Sequence, residues 1–203
     1  MSYIIVGLGN PGKEYQGTRH NLGRIILASF QKKYDFPEWE LSKKNKGLIS
    51  EGKVGKSKVI LLEPETFMNK SGSSVVTLVT SKKKAEELVV VYDDLDLPIG
   101  TIKISFNKGT GGHKGLESIA KSIKTKEFIR IRVGISQVIP TGKPFSSTGK
   151  LRKPKGEEKI LDYLMGDFNK KDLEILKKIK PKITQALETI ILDGRQKAMN
   201  LFN

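Results

Sequence analysis

The sequence predicts an α/β fold: one domain with a mixed, mostly parallel β-sheet flanked by α-helices. Three observations predict it. Short β-branched runs alternate with segments of helical spacing. The run at residues 88–92, Leu-Val-Val-Val-Tyr, is apolar on both faces, as in a central parallel strand. The chain has 203 residues, enough for one core, and shows no internal repeat and no clear second domain, so residues 1–203 are taken as one unit.

The elements follow in order. Tyr3, Ile4, Ile5 and Val6 form a first strand ending at Gly7. Residues 7–19 are rich in Gly and polar side chains and read as a loop. Leu22, Ile25, Ile26, Ser29 and Phe30 recur at helical spacing and predict a helix over about 21–35. Two strands are expected near 47–54 and 58–62, turning through Gly55-Lys56-Ser57, and helix near 67–80. The central strand at 88–92 is followed by a strand at 101–106 and a helix at 116–123. Residues 128–135 alternate, with Ile129, Ile131, Val133 and Ile135 on one face and Phe128, Arg130 and Arg132 on the other. Residues 140–155 hold three Pro, two Gly and five Lys or Arg with no acid, and a mobile basic loop is expected at about 140–156. Ile160, Leu161 and Leu164 indicate a short helix. Leu173, Leu176, Ile183, Leu187, Ile190 and Ile191 indicate terminal helical structure, broken or kinked near Pro181.

Composition narrows the function classes. With 37 Lys+Arg against 22 Asp+Glu the formal charge is +15, which suits a polyanionic partner but also a merely solubilising surface. No apolar run approaches the roughly 20 residues of a membrane helix, and Met1-Ser2-Tyr3-Ile4 does not begin a leader, so a cytoplasmic protein is expected. The absence of cysteine removes disulfides, thiol catalysis and thiolate zinc sites. With His20 and His113 as the two histidines, a histidine-rich metal site is not expected either.

Two nucleotide-like patterns fail on context. Gly7-Leu8-Gly9-Asn10-Pro11-Gly12 fits G-x-G-x-x-G after a strand, but Pro11 removes a backbone N–H where a pyrophosphate would need one. The helix begins well beyond the third glycine, and no acid ends a second strand about 20 residues on. Gly55-Lys56-Ser57 resembles the end of a P-loop, but Ser50 replaces its first glycine and strands flank it, so a hairpin turn fits better. There is no G-x-S-x-G elbow, so hydrolytic chemistry would use an activated water.

Four polar segments remain at predicted strand ends, where α/β proteins place ligands: 10–21, 67–72, 93–98 and 109–115. His20 suits a general base for water. A carboxylate on its other ring nitrogen would fix the tautomer, and Asp93, at the mouth of the central strand, is the natural partner. The amides of Asn10 and Asn69 can donate to a carbonyl without adding charge. Each residue also has a plain structural reading: His20 as a helix-start residue, Asp93 and Asn10 as turn formers, Asn69 as a cap, and 109–115 as a connector.

Taken together, the segments resemble the bacterial-type peptidyl-tRNA hydrolase family. The motifs are V-G-L-G-N-P-G-x-x-Y-x-x-T-R-H-N-x-G over 6–23, T-F-M-N-x-S-G over 66–72, D-D-L-D-L-P-x-G over 93–100, and G-G-H-x-G-L over 111–116. The resemblance runs over nearly the whole chain. It implies a monomeric, cofactor-free α/β enzyme that cleaves the ester between a peptide and the terminal ribose of tRNA. His20 would be the catalytic base and Asp93 its carboxylate partner. Asn10 would favour peptidyl over free aminoacyl substrates. Phe67, Met68, Asn69, His113 and Lys114 would fall at substrate-site positions and Tyr15 at a tRNA contact. The family usually has Asn where this chain has Lys114, which exchanges a group that donates and accepts for one that only donates. The alternative from another class is a non-catalytic RNA-binding relative. Lys103, Lys108, Lys114, Arg130, Arg132 and the lysines of 143–155 are the candidate phosphate contacts.

Overall fold

The structure, a computed structural model, describes residues 2–139 and 150–203. Its frame is a sheet of strands β1 (Ser2–Gly7), β2 (Glu40–Ser42), β3 (Gly47–Val54), β4 (Ser57–Pro64), β5 (Leu88–Pro98), β6 (Ile102–Phe106), β7 (Ile129–Ile139) and β8 (Lys150–Arg152). The spatial order is β2-β3-β4-β1-β5-β7-β6, with β8 added to the far end of β7. The centre, β4-β1-β5-β7, is parallel, and the β2-β3-β4 and β6-β7 margins are antiparallel. The expected apolar run thus lies in mid-sheet between two parallel neighbours, as its two-sided hydrophobicity requires.

Both faces are covered. Ile5, Val89, Val91, Ile129, Ile131 and Val133 point toward α1 (Leu22–Lys33), α6 (Lys170–Asp193) and α7 (Arg195–Phe202) in one apolar cluster. Ile4, Val6, Leu88, Val90, Tyr92 and Phe128 form the other, against α2 (Gly72–Val75) and α4 (Lys114–Ile123). Successive strand residues alternate between the two cores, the period-two pattern of a sheet buried on both sides.

Several elements differ from expectation. The helix expected at 67–80 is a 3₁₀ turn, Met68–Lys70, followed by the four-residue α2, because the segment folds onto α4, where the Gly72 N–H donates to Ser118 Oγ at 2.9 Å. The helix α3 (Lys82–Glu86), capped by Ser81, and the edge strand β2 are too short for a periodic signal. α6 runs unbroken through Pro181. The carbonyl that loses its partner there belongs to exposed Lys177, where water can serve it, while Leu176, Ile179, Ile183 and Leu187 hold the helix to the core. Of the basic loop expected at 140–156, residues 140–149 lie outside the described residues, and Lys150–Arg152 pair with β7 as strand β8. A short helix, α5 (Glu157–Met165), follows. Among the described residues no helix is long and apolar enough to cross a membrane.

One close approach positions the site. Gly23, in the first turn of α1, stands over the β1–β5 junction, where a Cβ would collide with the Leu8 backbone and the Val91 carbonyl. Those groups are hydrogen-bonded to each other at 3.1 Å and have no freedom to retreat. The Gly23→Ala variant is therefore expected to lose about 1–3 kcal/mol of stability, read as a lower urea midpoint at unchanged m. An unshifted midpoint would show that the helix can back away.

Candidate active site

The strand ends of β1, β4 and β5 deliver the polar segments to one edge of the sheet, joined by the turn before α4. His20 lies in a 3₁₀ turn, Arg19–Asn21, that leads into α1. Asp93 lies within β5 and is 2% exposed; His20 is 6% exposed. His20 Nδ1 stands 3.0 Å from Asp93 Oδ2 and 3.1 Å from Oδ1. An ionised carboxylate only accepts, so Nδ1 carries the proton, and Nε2 makes no hydrogen bond among the described residues.

His113 reaches the same carboxylate, its Nε2 3.3 Å from Asp93 Oδ1. Its Nδ1 accepts the Leu116 N–H at the start of α4, which leaves the proton on Nε2 to donate to Asp93. His113 stacks edge-on against Tyr92 and lies 5.0 Å from the His20 ring. Asp93 is thus held by two imidazoles. Burial pushes its carboxyl up, but the two histidines outweigh burial and hold it well below the usual carboxylate range. Burial pulls His20 down, yet the charge and hydrogen bond of Asp93 prevail and leave it above an ordinary histidine. His20 is a stronger base than its free side chain would be.

One ligand atom from each of His20, Asp93 and His113 lies within 4.8 Å of the others, a spacing that a metal ion can bridge. The ring nitrogens facing Asp93 are already within hydrogen-bond distance of its oxygens, which fits a proton-holding triad.

A cavity of about 580 Å³ opens beside this group, lined by His20, Asp93, the 109–114 turn and one side of α5. Arg130 and Ser105, paired across β6 and β7, lie in its wall. Arg130, one of the candidate phosphate contacts, is a buried wall residue. It is 1% exposed, stacks on Phe128 and donates to the Gly109 carbonyl at 2.6 Å. Its Nε and Nη2 and the Ser105 hydroxyl have no partner among the described residues. Arg132 donates to Asp94 at 2.7 Å, and Lys108 and Lys153 also line the cavity.

Asn10 forms a second group. Its backbone N–H donates to Asn21 Oδ1 at 2.8 Å, and Asn21 Nδ2 returns a bond to the Asn10 carbonyl at 2.9 Å. Asn10 Oδ1 accepts the Met68 N–H at 2.8 Å, and Nδ2 faces Met165 Sδ at 3.8 Å. Met68 is buried, while Phe67 and Asn69 on either side are exposed. Tyr15 is half-buried in a 3₁₀ turn away from the cavity wall, where its carbonyl receives Thr18. Lys114 is exposed at the cavity rim, 3.8 Å from Glu157.

Two positioning side chains were not singled out from sequence. Asn21 follows His20 directly inside the first motif and locks Asn10. Arg19 donates to the carbonyls of Tyr163 and Gly166 at 3.1 and 3.0 Å and stacks on the Tyr163 ring, which ties the His20 turn to the end of α5. The signal for both was adjacency to His20.

The open sheet, parallel at its centre, and the polar cluster at its strand ends define the class: an α/β protein with a buried imidazole–carboxylate pair in the wall of a cavity. The model of one family, described as peptidyl-tRNA hydrolase, matches residues 4–203. A relative of that name from Alkaliphilus oremlandii is 38% identical over 202 residues, covering 99% of both chains. Another, from Herpetosiphon aurantiacus, is 40% identical over 206 residues, covering 99% of this chain and 90% of its own. The crystal structure of peptidyl-tRNA hydrolase from Acinetobacter baumannii superposes with a TM-score of 0.85 at 29% identity, covering 99% of this chain and 94% of that one. The chain belongs to the peptidyl-tRNA hydrolase family.

Proposed function

We propose that the chain, acting in the cytoplasm as a monomeric single domain, hydrolyses the ester between the peptide and the terminal ribose of peptidyl-tRNA, and that His20 activates the water. The observation that carries this reading is the His20–Asp93 pair at 3.0 Å in the wall of a cavity open to a substrate. Neutral His20 takes a proton from water at Nε2 as the oxygen attacks the ester carbonyl. Asp93, fixed by His113, stabilises the imidazolium that forms; the tetrahedral intermediate then breaks its bond to the ribose oxygen, which takes the proton back from the imidazolium and leaves as the hydroxyl. An ester is activated enough for this route without a covalent nucleophile.

The remaining residues divide the substrate. Asn10, held by Asn21 and Met68, together with Phe67 and Asn69 serves the peptide side. Arg130, Arg132, Lys108, Lys114 and Lys153 supply cationic groups for the tRNA phosphates, and Tyr15 adds an outer contact.

Purified chain is expected to release peptide from an N-blocked aminoacyl-tRNA, and failure to do so would overturn the reading. Because phosphate contacts are linked to counterion release, added salt should raise KM much more than it lowers kcat. A salt-independent KM would show that the charge surplus is not used for tRNA.

A further inference from the structure

Arg24 of α1 lies outside the imidazole–carboxylate pair, yet its guanidinium bonds to three consecutive residues. Nε donates to Glu63 Oε2 at 3.0 Å, Nη1 to the Pro64 carbonyl at 3.3 Å and Nη2 to Glu65 Oε1 at 2.5 Å. Its stem rests on Gly9, where a Cβ would come within 2.6 Å of Arg24 Cδ and 2.9 Å of Asn21 Cγ. The gripped residues end β4 and lead directly into Phe67, Met68 and Asn69. Two ties therefore fix this segment against the 9–24 region: the Arg24 fork at one end and the Met68–Asn10 bond at the other.

We propose that Arg24 is a positioning residue for the peptide side of the site, setting through Glu63 and Glu65 where Phe67, Met68 and Asn69 stand relative to Asn10. The proposal rests on the function proposed above. A fork with three donors in fixed geometry suits the task, since a lysine could carry the charge but not grip three sites. The fork grips the protein's own 63–65 segment and touches neither His20 nor Asp93, so its loss is expected to act on binding and not on the chemical step.

Glu63 gives the clamp a signature of its own. It is 6% exposed; burial pushes its carboxyl up, Arg24 pulls it back and Glu65 adds to the rise, leaving it at about 7. The groups facing it are Arg24 from α1, Glu65 from its own segment, uncharged Leu48 opposite on β3, and Lys13 across a cavity of about 410 Å³. Above that pH the carboxylate pairs with Arg24. Below it the protonated acid loses that attraction and the clamp loosens, so KM for the peptidyl substrate rises as the pH falls through this range.

The test measures kcat and KM on peptidyl-tRNA, with amide hydrogen exchange at Met68, for the wild type, Arg24→Ala, Arg24→Lys and Glu63→Gln. Arg24→Ala should raise KM roughly tenfold, keep kcat within about twofold and speed exchange at Met68. Arg24→Lys should not restore the wild-type KM, and Glu63→Gln should flatten the pH dependence of KM. An unchanged KM with unchanged Met68 exchange overturns the proposal, as does a fall in kcat matched by a general loss of stability. A wild type that releases no peptide overturns the proposed activity instead, and Met68 exchange in the variants then still decides whether the clamp exists.

Discussion

Replacing His20 with Ala is expected to cut turnover by about 10²–10⁴-fold, the usual worth of a general base, with little change in tRNA affinity. The ring is buried against Asp93 and contributes to the cavity wall, but the cationic groups suited to phosphate lie elsewhere in that wall. Affinity and chemistry should therefore separate: single-turnover rates collapse while binding of uncharged tRNA persists. A His20→Ala protein with near-normal turnover would remove His20 from the mechanism.

Asp93→Asn should be nearly as severe, roughly 10²–10⁴-fold, although it changes the volume hardly at all. The Asn amide can present its NH₂ to His20 Nδ1 and favour the wrong tautomer, with the proton on the nitrogen that must accept one. The pH profile distinguishes this from simple disruption. In the wild type Asp93 raises the His20 pKa, and in the proposed mechanism the neutral imidazole is the active form. Activity should thus rise with pH through a midpoint above that of a free histidine. In Asp93→Asn the raising charge is gone and burial alone remains, so the residual activity should show its acid limb at lower pH. A large loss of activity with an unmoved acid limb would mean that Asp93 does not set the His20 proton affinity.

Much of the fold was legible because its strands are short, β-branched and apolar on both faces. Residues 88–92 could be assigned to mid-sheet from that property alone. What escaped depends on contacts between distant residues. Pro181 breaks nothing, since tertiary packing of Ile179 and Ile183 overrides its local cost. Arg130 obeys the strand alternation but points into a wall and not into water, and no single-strand pattern distinguishes the two. At the site, His20 and Asp93 could be paired from chemistry because each has one obvious complement. The second imidazole on Asp93 and the Arg24 fork could not, because they depend on which strand ends meet in space.

The partners of the central pair are 73 residues apart in sequence, and Asn10 and Met68 are 58 apart. Residues 2–87 contain His20 but lack the strand that carries Asp93, and β7, which completes the bed of that strand, comes still later. A chain that stops before β5 therefore has no His20–Asp93 pair, and one that stops before β7 lacks a neighbour of the strand that carries Asp93. The pair is thus a property of the assembled sheet and of no local segment, and any truncation that removes β5 removes it outright.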